Sequence, residues 1–322
     1  MISAMYENGG NTTHRLLDGH PELFVYPFES QVGTALVSDH MSSLFPLKYR
    51  WPCFDLAGTA ASDYEAIIDE ECKVRIKTPS SSKFRETPIQ LSDTARKDAF
   101  MEHMVRGPRT RGRIVESFFR ATFEAWKDRQ ASGLERTYVG YSPIIVVDAD
   151  KILADLPGGH VLHVVRNPWS AYADTKKRAV PRSIEHYMLG WTTCQYFALL
   201  HRERAPDRVH VLRYEDIVLD PGETLGRFCR ELSLRPSPTL SKPTWNGRPL
   251  ETVHPWGTIR TPSPEANVAT ALELSDAERD EVARRARPYL DLLGYGDFFD
   301  RLAGAAGRNR PKKKLGRGAR AR

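Results

Sequence analysis

Residues 160–168 read HVLHVVRNP, and this stretch decides the fold class. The run is short, rich in β-branched valine and bounded by turn signals, with Pro157-Gly158-Gly159 ahead of it and Pro168 behind. Apolar residues on both faces, rather than alternation, mark a strand buried on both sides, as in a parallel sheet. Arg166-Asn167-Pro168 closes the strand, and a helix is predicted over 169–177. Arg166 therefore stands at the carboxyl edge of the sheet, where open α/β folds bind ligands. Its planar fork of donors suits phosphate oxygens. Taken alone, such an arginine is more often a surface residue paired with an acid.

Working outward, strands and helices alternate on both sides of this segment. Met1 to Met5 is short and apolar, Gly9-Gly10 follows, and a helix is expected up to Asp18, where Gly19-His20-Pro21 ends it. Leu23 to Tyr26 reads as a second strand, which makes the opening the front half of a βαβ unit. Helices are predicted over 64–72, 94–105, 114–130 and 147–156, with a short strand at Val139 to Tyr141. In the third of these helices Val115, Phe118, Phe119, Thr122, Phe123 and Trp126 recur at helical spacing and are read as core. After Arg166 come a long helix over 184–204, a strand at Val209 to Arg213 and a helix over 225–232. Residues 233–264 are rich in Pro, Ser and Trp with little periodicity, and a loop of that length is usually functional or disordered. Ser275-Asp276-Ala277-Glu278 is a capping box opening a helix to about Leu293. The prediction is an α/β single domain over 1–303, a central, mainly parallel sheet with helices on both faces.

The chain has 322 residues and a net charge of +6, but the charge is uneven. Residues 308–322 carry eight basic side chains and no acid; without them the chain has 39 basic against 41 acidic residues, a net of −2. The body is thus nearly neutral, and residues 304–322 are expected to be a basic, disordered tail. No aromatics interleave its charges, so no specific nucleic-acid partner is predicted, while contact with an anionic surface stays open. Cys53, Cys72, Cys194 and Cys229 form no CxxC pair and no His/Cys cluster of zinc spacing. They are read as reduced thiols, mostly buried, of a cytoplasmic protein without a metal. No apolar run is long enough to span a bilayer, and no secretory signal opens the chain. Because the chain opens on its first strand, its natural start is expected a few residues upstream.

The Gly9-Gly10 pair between strand and helix lets backbone N–H groups converge on an anion at a helix N-terminus, with Asn11, Thr12 and Thr13 beside them. It is not a Walker A loop, since no Gly-Lys-Ser/Thr follows. A glycine-rich loop of this kind is, by itself, as often a simple tight turn.

Four segments together resemble the sulfotransferases that use 3′-phosphoadenosine 5′-phosphosulfate. VVRNPWSAYADTKKR is similar to that family's 3′-phosphate motif, and NGGNTTHRLLDGHPEL, Asn8 to Leu23, to its 5′-phosphosulfate loop. VLRYEDIVLDP, Val211 to Pro221, resembles the Tyr-Glu-Asp segment, and LSDAERDEV with the later LGY resembles the closing helix of bacterial members. The order is the family's own. The resemblance implies a P-loop NTPase-like sulfotransferase fold and transfer of a sulfuryl group to a hydroxyl or amine of a small-molecule or glycan acceptor. It implies that Gly9, Gly10, Asn11, Thr12 and Thr13 hold the 5′-phosphosulfate and that Arg166 holds the 3′-phosphate. His14, opening the helix, is expected near the adenine or the sulfuryl group, or as part of the cap. The loop-helix-HPEL-strand order resembles that of tyrosylprotein sulfotransferases, which implies Glu29, just beyond the second strand in YPFES, as the base; the alternative is an exposed, salt-bridged glutamate. His20 and His163 are read as structural.

Three departures stand out. Where the family's loop is preceded by Lys or Arg, this chain has Met5-Tyr6-Glu7-Asn8, and where a second lysine precedes a Thr-Pro it has Gly140-Tyr141-Ser142-Pro143. The phosphate-binding serine eight positions after the arginine is Asp174, which is expected to point elsewhere, with Ser170 or Thr175 in its place. Arg75, Lys77, Lys176, Arg178 and Arg260 are candidates for the missing cation. Trp245-Asn246-Gly247 and Trp256 to Arg260 are candidates for a lid, and residues 45–112 for the acceptor pocket. The competing readings are a nucleotide-dependent phosphotransferase and a catalytically inactive nucleotide-binding module on the same fold.

Overall fold

The computed structural model describes residues 1–82, 85–86, 89–250 and 264–308. Its main strands are β1 (Ile2–Ala4), β2 (Leu23–Val25), β3 (Thr137–Val139), β4 (Val161–Val165) and β5 (Val209–Arg213). β4 lies between β1 and β5, parallel to both, with Ile2 opposite Leu162 and Val165 opposite Arg213. β2 pairs in parallel with β3, and a parallel bridge between Ile2 and Tyr141 joins β3 to β1. The backbone bonds Ile2 N to Gly140 O and Ser142 N to Ile2 O complete that seam. The strand order is therefore β2-β3-β1-β4-β5, all parallel.

All of β4 is buried, as its unbroken apolar run requires. Leu162 and Val164 face one side, packed with Leu16, Leu17, Ile217, Leu225 and Phe228 of α1 (Gly10–Leu17), α9 (Tyr214–Leu219) and α10 (Pro221–Glu231). Val161 and Val165 face the other. That layer contains α5 (Arg111–Ala125), α6 (Ala149–Asp155), α7 (Pro168–Lys176), α8 (Ile184–Arg204) and α12 (Asp276–Leu290), with α2 (Ala60–Ala66), α3 (Glu70–Lys77) and α4 (Asp93–Met104) outside α5. α11 (Pro264–Ala271) lies on α7, and α13 (Gly296–Arg308) closes the described chain. His163, inside β4, is fully buried with its ring nitrogens on Gln195 and Ser3; burial drives its pKa down to about 4, so it packs as a neutral ring. The single α/β unit with helices on both faces is the predicted architecture. No helix of the described residues is long and apolar enough to cross a membrane.

The differences from expectation have local causes. The helix predicted over 64–72 is two helices, because residues 67–69 turn inward and bond the extended segment after β2: Ile68 N bonds Gly33 O and Asp69 N bonds Gln31 O. Asp69 sits at φ 34, and its buried carboxylate takes hydrogen bonds from Arg96 at 2.8 Å and the Tyr26 hydroxyl at 3.2 Å. That network outweighs helix continuity. α5 ends at Ala125, earlier than periodicity suggested. α9 is an extra helical turn in the Tyr-Glu-Asp segment. The aperiodic region contains a small hairpin, β6 (Thr244–Trp245) with β7 (Arg248–Pro249). A tail is predicted from residue 304, but α13 continues through Arg308, and residues 309–322 lie outside the described residues. The four cysteines are free thiols, three of them buried.

Candidate functional site

β1 and β4 end side by side, so the residues after each meet at the carboxyl edge of the sheet. After β1 the chain turns through Glu7 at φ 60 and Gly9 at φ 87 into α1. α1 has no side-chain cap and no acid in its first turn. The N–H groups of Gly10, Asn11 and Thr12 find no acceptor among the described residues, which leaves them directed out of the helix end. With the helix dipole behind them they form an anion-binding terminus.

The glycines there are needed for a reason beyond the turn. A Cβ at Gly9 would lie 2.1 Å from Cδ2 of Tyr214, and one at Gly10 would lie 2.5 Å from the ring of Tyr141. Tyr141, the residue standing where the resemblance places a lysine, thus covers the loop with its ring. Gly9→Ala adds a Cβ in a left-handed conformation against a packed ring, so it is expected to cost about 2–4 kcal/mol in urea unfolding. Tyr214→Ala in the same chain should recover only part, since the backbone strain stays. Full recovery would show that the ring contact alone demands glycine, and no recovery that the left-handed turn alone does; no loss in the single variant would show that neither does.

The arginine turn is stapled to this loop. Asn8 Oδ1 accepts from Arg166 N at 2.9 Å, while its amide donates to Tyr6 O at 2.8 Å and the Tyr187 hydroxyl at 3.0 Å. Asn167 caps α7 by accepting from Ser170 N, and its own N–H and amide donate to Glu215 Oε1 at 3.0 and 2.7 Å. The other oxygen of Glu215 accepts from the Tyr295 hydroxyl at 2.9 Å. Burial, then the Glu215 charge, push the Tyr295 phenol well above its usual pKa, so it stays a donor. Four segments far apart in the chain are therefore one hydrogen-bonded assembly. Sequence reasoning missed Asn8, Glu215 and Tyr295 individually, although each lies in a stretch that carries the family resemblance.

Arg166 is about nine-tenths buried. Its Nε donates to Asn267 Oδ1 at 2.7 Å, and its Nη1 lies 3.0 Å from Glu7 O and 2.7 Å from Asp174 Oδ2. The Tyr214 ring stacks on the guanidinium, with Cζ 5.3 Å from its centroid. The expectation that Asp174 points elsewhere is corrected: it is an ion-pair partner of Arg166. Ser170 is corrected too. Its hydroxyl is fully buried and donates to Asn267 O at 2.6 Å, which leaves only lone pairs for any phosphate. Thr175 likewise bonds the Ala171 carbonyl inside α7.

Within the loop, Thr13 is turned inward, its hydroxyl on Gly9 O at 3.0 Å and its N–H on the same carbonyl. His14 is 1% exposed, against Arg15 and the Tyr141 ring; burial, then Arg15, lower its pKa well below the usual value. Packing explains both positions: Thr13 turns back onto Gly9 O, and His14, four residues on from Gly10 and on the same helix face, lies against the Tyr141 ring that also covers Gly10.

Glu29 lies in the segment crossing the end of β3, where Ser30 N bonds Tyr141 O, and its Oε2 accepts from Gln31 Nε2 at 3.2 Å. It is partly exposed. Its charge is felt by Tyr6, Tyr49 and Tyr141. Burial pushes the Tyr6 phenol up to about 12 with Glu29 as a minor contributor; in Tyr49 and Tyr141 burial comes first and Glu29 second. Glu29 is thus within electrostatic reach of Tyr141, the ring that lies on the loop at Gly10. Tyr49 comes from the 45–112 region, its ring 6.0 Å from that of Tyr6. The neighbouring Arg50 anchors it, 1% exposed and bidentate to Asp148 at 2.7 and 2.8 Å.

Among the candidate cations, Arg178 comes to the loop: its Nη1 is 2.9 Å from Glu7 Oε1 and it stacks over Tyr6, as Arg182 does. Lys176 is turned to Glu278 and Lys77 to Asp93, while Arg75 stays on α3. Arg260 and the rest of Trp256 to Arg260 lie outside the described residues. Trp245-Asn246-Gly247 is not a lid. The Gly247 N–H and the Thr244 hydroxyl bond the Asp18 carboxylate at the far end of α1, and Asn246 holds residues 128–130. A cavity of about 450 Å³ lined by Leu17, Leu23, Phe119, Leu162 and Phe228 opens at the opposite, amino edge of the sheet and contains none of these groups.

Residues 9–238 match the sequence model of the Sulfotransferase family, a span that takes in the loop, the arginine turn and the Tyr-Glu-Asp segment. Among solved structures, the chain is similar to the sulfotransferase domain from the Synechococcus PCC 7002 olefin synthase, at 18% identity over 88% of this chain and 92% of that chain, with a TM-score of 0.47. It is also similar to the sulfotransferase domain from the curacin biosynthetic pathway, at 15% identity over 89% of this chain and 96% of that chain, with a TM-score of 0.47. No curated protein matches the chain.

Proposed function

Because the chain belongs to the sulfotransferase family, we propose that it moves a sulfuryl group from 3′-phosphoadenosine 5′-phosphosulfate to a hydroxyl or amine of a small-molecule or glycan acceptor. The observation that carries this reading is the Asn8 staple, which holds the open helix terminus and Arg166 on one sheet edge. Two anion sites at a fixed spacing suit a nucleotide with phosphates at both 5′ and 3′ positions.

In this reading the N–H groups of Gly10, Asn11 and Thr12 hold the 5′-phosphosulfate, and the Arg166 fork holds the 3′-phosphate. Glu29 takes the acceptor proton as the acceptor oxygen or nitrogen bonds sulfur. The bond from sulfur to the bridging phosphate oxygen breaks in line, and adenosine 3′,5′-bisphosphate leaves with the electron pair. Arg178, with Arg182 beside it, supplies the cation that the loop lacks, opposing the charge that gathers on the leaving phosphate. The acceptor enters between Glu29, Tyr6 and Tyr49.

The test is thermal stabilisation by adenosine 3′,5′-bisphosphate against ADP. A larger rise in Tm with the bisphosphate is expected; an equal rise with ADP would favour a phosphotransferase. Transfer of labelled sulfate from the donor to a panel of hydroxyl and amine acceptors then separates the enzyme from an inactive binding module, which would bind the bisphosphate and transfer nothing.

A further inference from the structure

Bidentate binding of a phosphate by arginine needs two N–H groups along one edge of the guanidinium. In Arg166, Nε is taken by Asn267, so the edge that remains is Nη1 and Nη2. Nη2 makes no hydrogen bond among the described residues, but Nη1 carries a carboxylate oxygen, Asp174 Oδ2 at 2.7 Å. A 3′-phosphate and Asp174 therefore compete for the same donor, and both are anions. The second oxygen of Asp174 is already 3.1 Å from Lys177 Nζ, and its side chain is 28% exposed, so it has room to turn outward and a cation to turn toward.

We propose that Asp174 is an internal counter-anion of the 3′-phosphate subsite, displaced from Arg166 onto Lys177 when a 3′-phosphorylated nucleotide binds. This rests on the reading of Arg166 as the 3′-phosphate ligand. Asp174 is a specificity-determining residue that lowers affinity for the 3′-phosphate, and so for the bisphosphate product, without touching the 5′ subsite. Lys177, which also pairs with Glu273 at 2.8 Å, is a positioning residue: toward this subsite it acts through the carboxylate it receives. The partner of the displaced anion therefore matters as much as the anion.

The experiment is calorimetric titration of the full chain with adenosine 3′,5′-bisphosphate and with adenosine 5′-phosphate, which lacks the competing group. Asp174→Ser should tighten the bisphosphate by about tenfold or more and leave adenosine 5′-phosphate within about twofold, since like charges a few ångströms apart repel strongly at a partly buried site. Asp174→Asn keeps the shape and should shift the same ratio in the same direction. Lys177→Met should weaken the bisphosphate severalfold in the wild-type background and have no effect beside Asp174→Ser, a non-additivity that a purely structural role would not produce. An unchanged ratio of the two affinities in both Asp174 variants overturns the proposal, as does a Lys177→Met loss that persists without Asp174. If no form of the chain, Asp174→Ser included, prefers the bisphosphate to adenosine 5′-phosphate, the donor assignment itself falls. Wild-type preference with no gain in the Asp174 variants removes only the counter-anion.

Discussion

Arg166→Ala is expected to weaken binding of adenosine 3′,5′-bisphosphate by about 30- to 100-fold, about 2–3 kcal/mol. Three effects add in one direction. The charge-assisted donors disappear. The Tyr214 ring loses the guanidinium that stacks on it. Asp174 keeps only Lys177 as a partner, so its charge is less compensated where the phosphate must sit. Adenosine 5′-phosphate should lose far less, because the helix terminus that receives it is untouched. Stability falls as well, by about 1–3 kcal/mol, since Asn267 Oδ1 is left unpaired at 2% exposure. Binding must therefore be measured well below the variant's Tm. Arg166→Lys keeps the charge without the fork and should fall between the two. Unchanged bisphosphate affinity in a folded Arg166→Ala protein would end the role assigned to this arginine.

The parts of the site legible in the sequence are those written in contiguous residues. β4 and its arginine could be read from nine residues, because a strand buried on both faces leaves an unbroken apolar run. α8 occupies the predicted range, with Ser183 capping its start. What could not be read depends on partners distant in the chain. Asn8 reaches 158 positions to Arg166 and Asn267 reaches 101, and no local pattern announces either bond. Asp174 is an instructive case. The family resemblance implies its conflict with an incoming phosphate, but its attraction to Arg166 depends on how α7 leaves the sheet edge. Thr13 is a local case, its hydroxyl turning back to Gly9 O within the first turn, whereas His14 shares the Gly10 face of the helix and only the Tyr141 ring packed there closes it off.

Glu29→Gln is expected to lower kcat by about 10²- to 10⁴-fold while bisphosphate affinity stays within about twofold. The substitution is nearly isosteric and keeps an oxygen to accept from Gln31, so the segment after β2 should hold its course. Only the basicity is lost. Position supports the assignment: the carboxylate is close enough to Tyr6, Tyr49 and Tyr141 to raise their phenols, and Tyr141 is the residue that lies on the loop at Gly10. The nearby acid on the loop itself, Glu7, is already engaged with Arg178. In the proposed reaction a base must face the acceptor, across the sulfur from the leaving oxygen, and Glu29 is a carboxylate near Tyr6 and Tyr49, where that reading puts the acceptor. The separation of kcat from nucleotide affinity is the signature to look for, because a residue that merely supports the fold would lower both together. Turnover near the wild-type level in Glu29→Gln would remove it as the base and turn the search to other groups around Tyr49. A matched loss of turnover and bisphosphate affinity would instead place Glu29 in the nucleotide site.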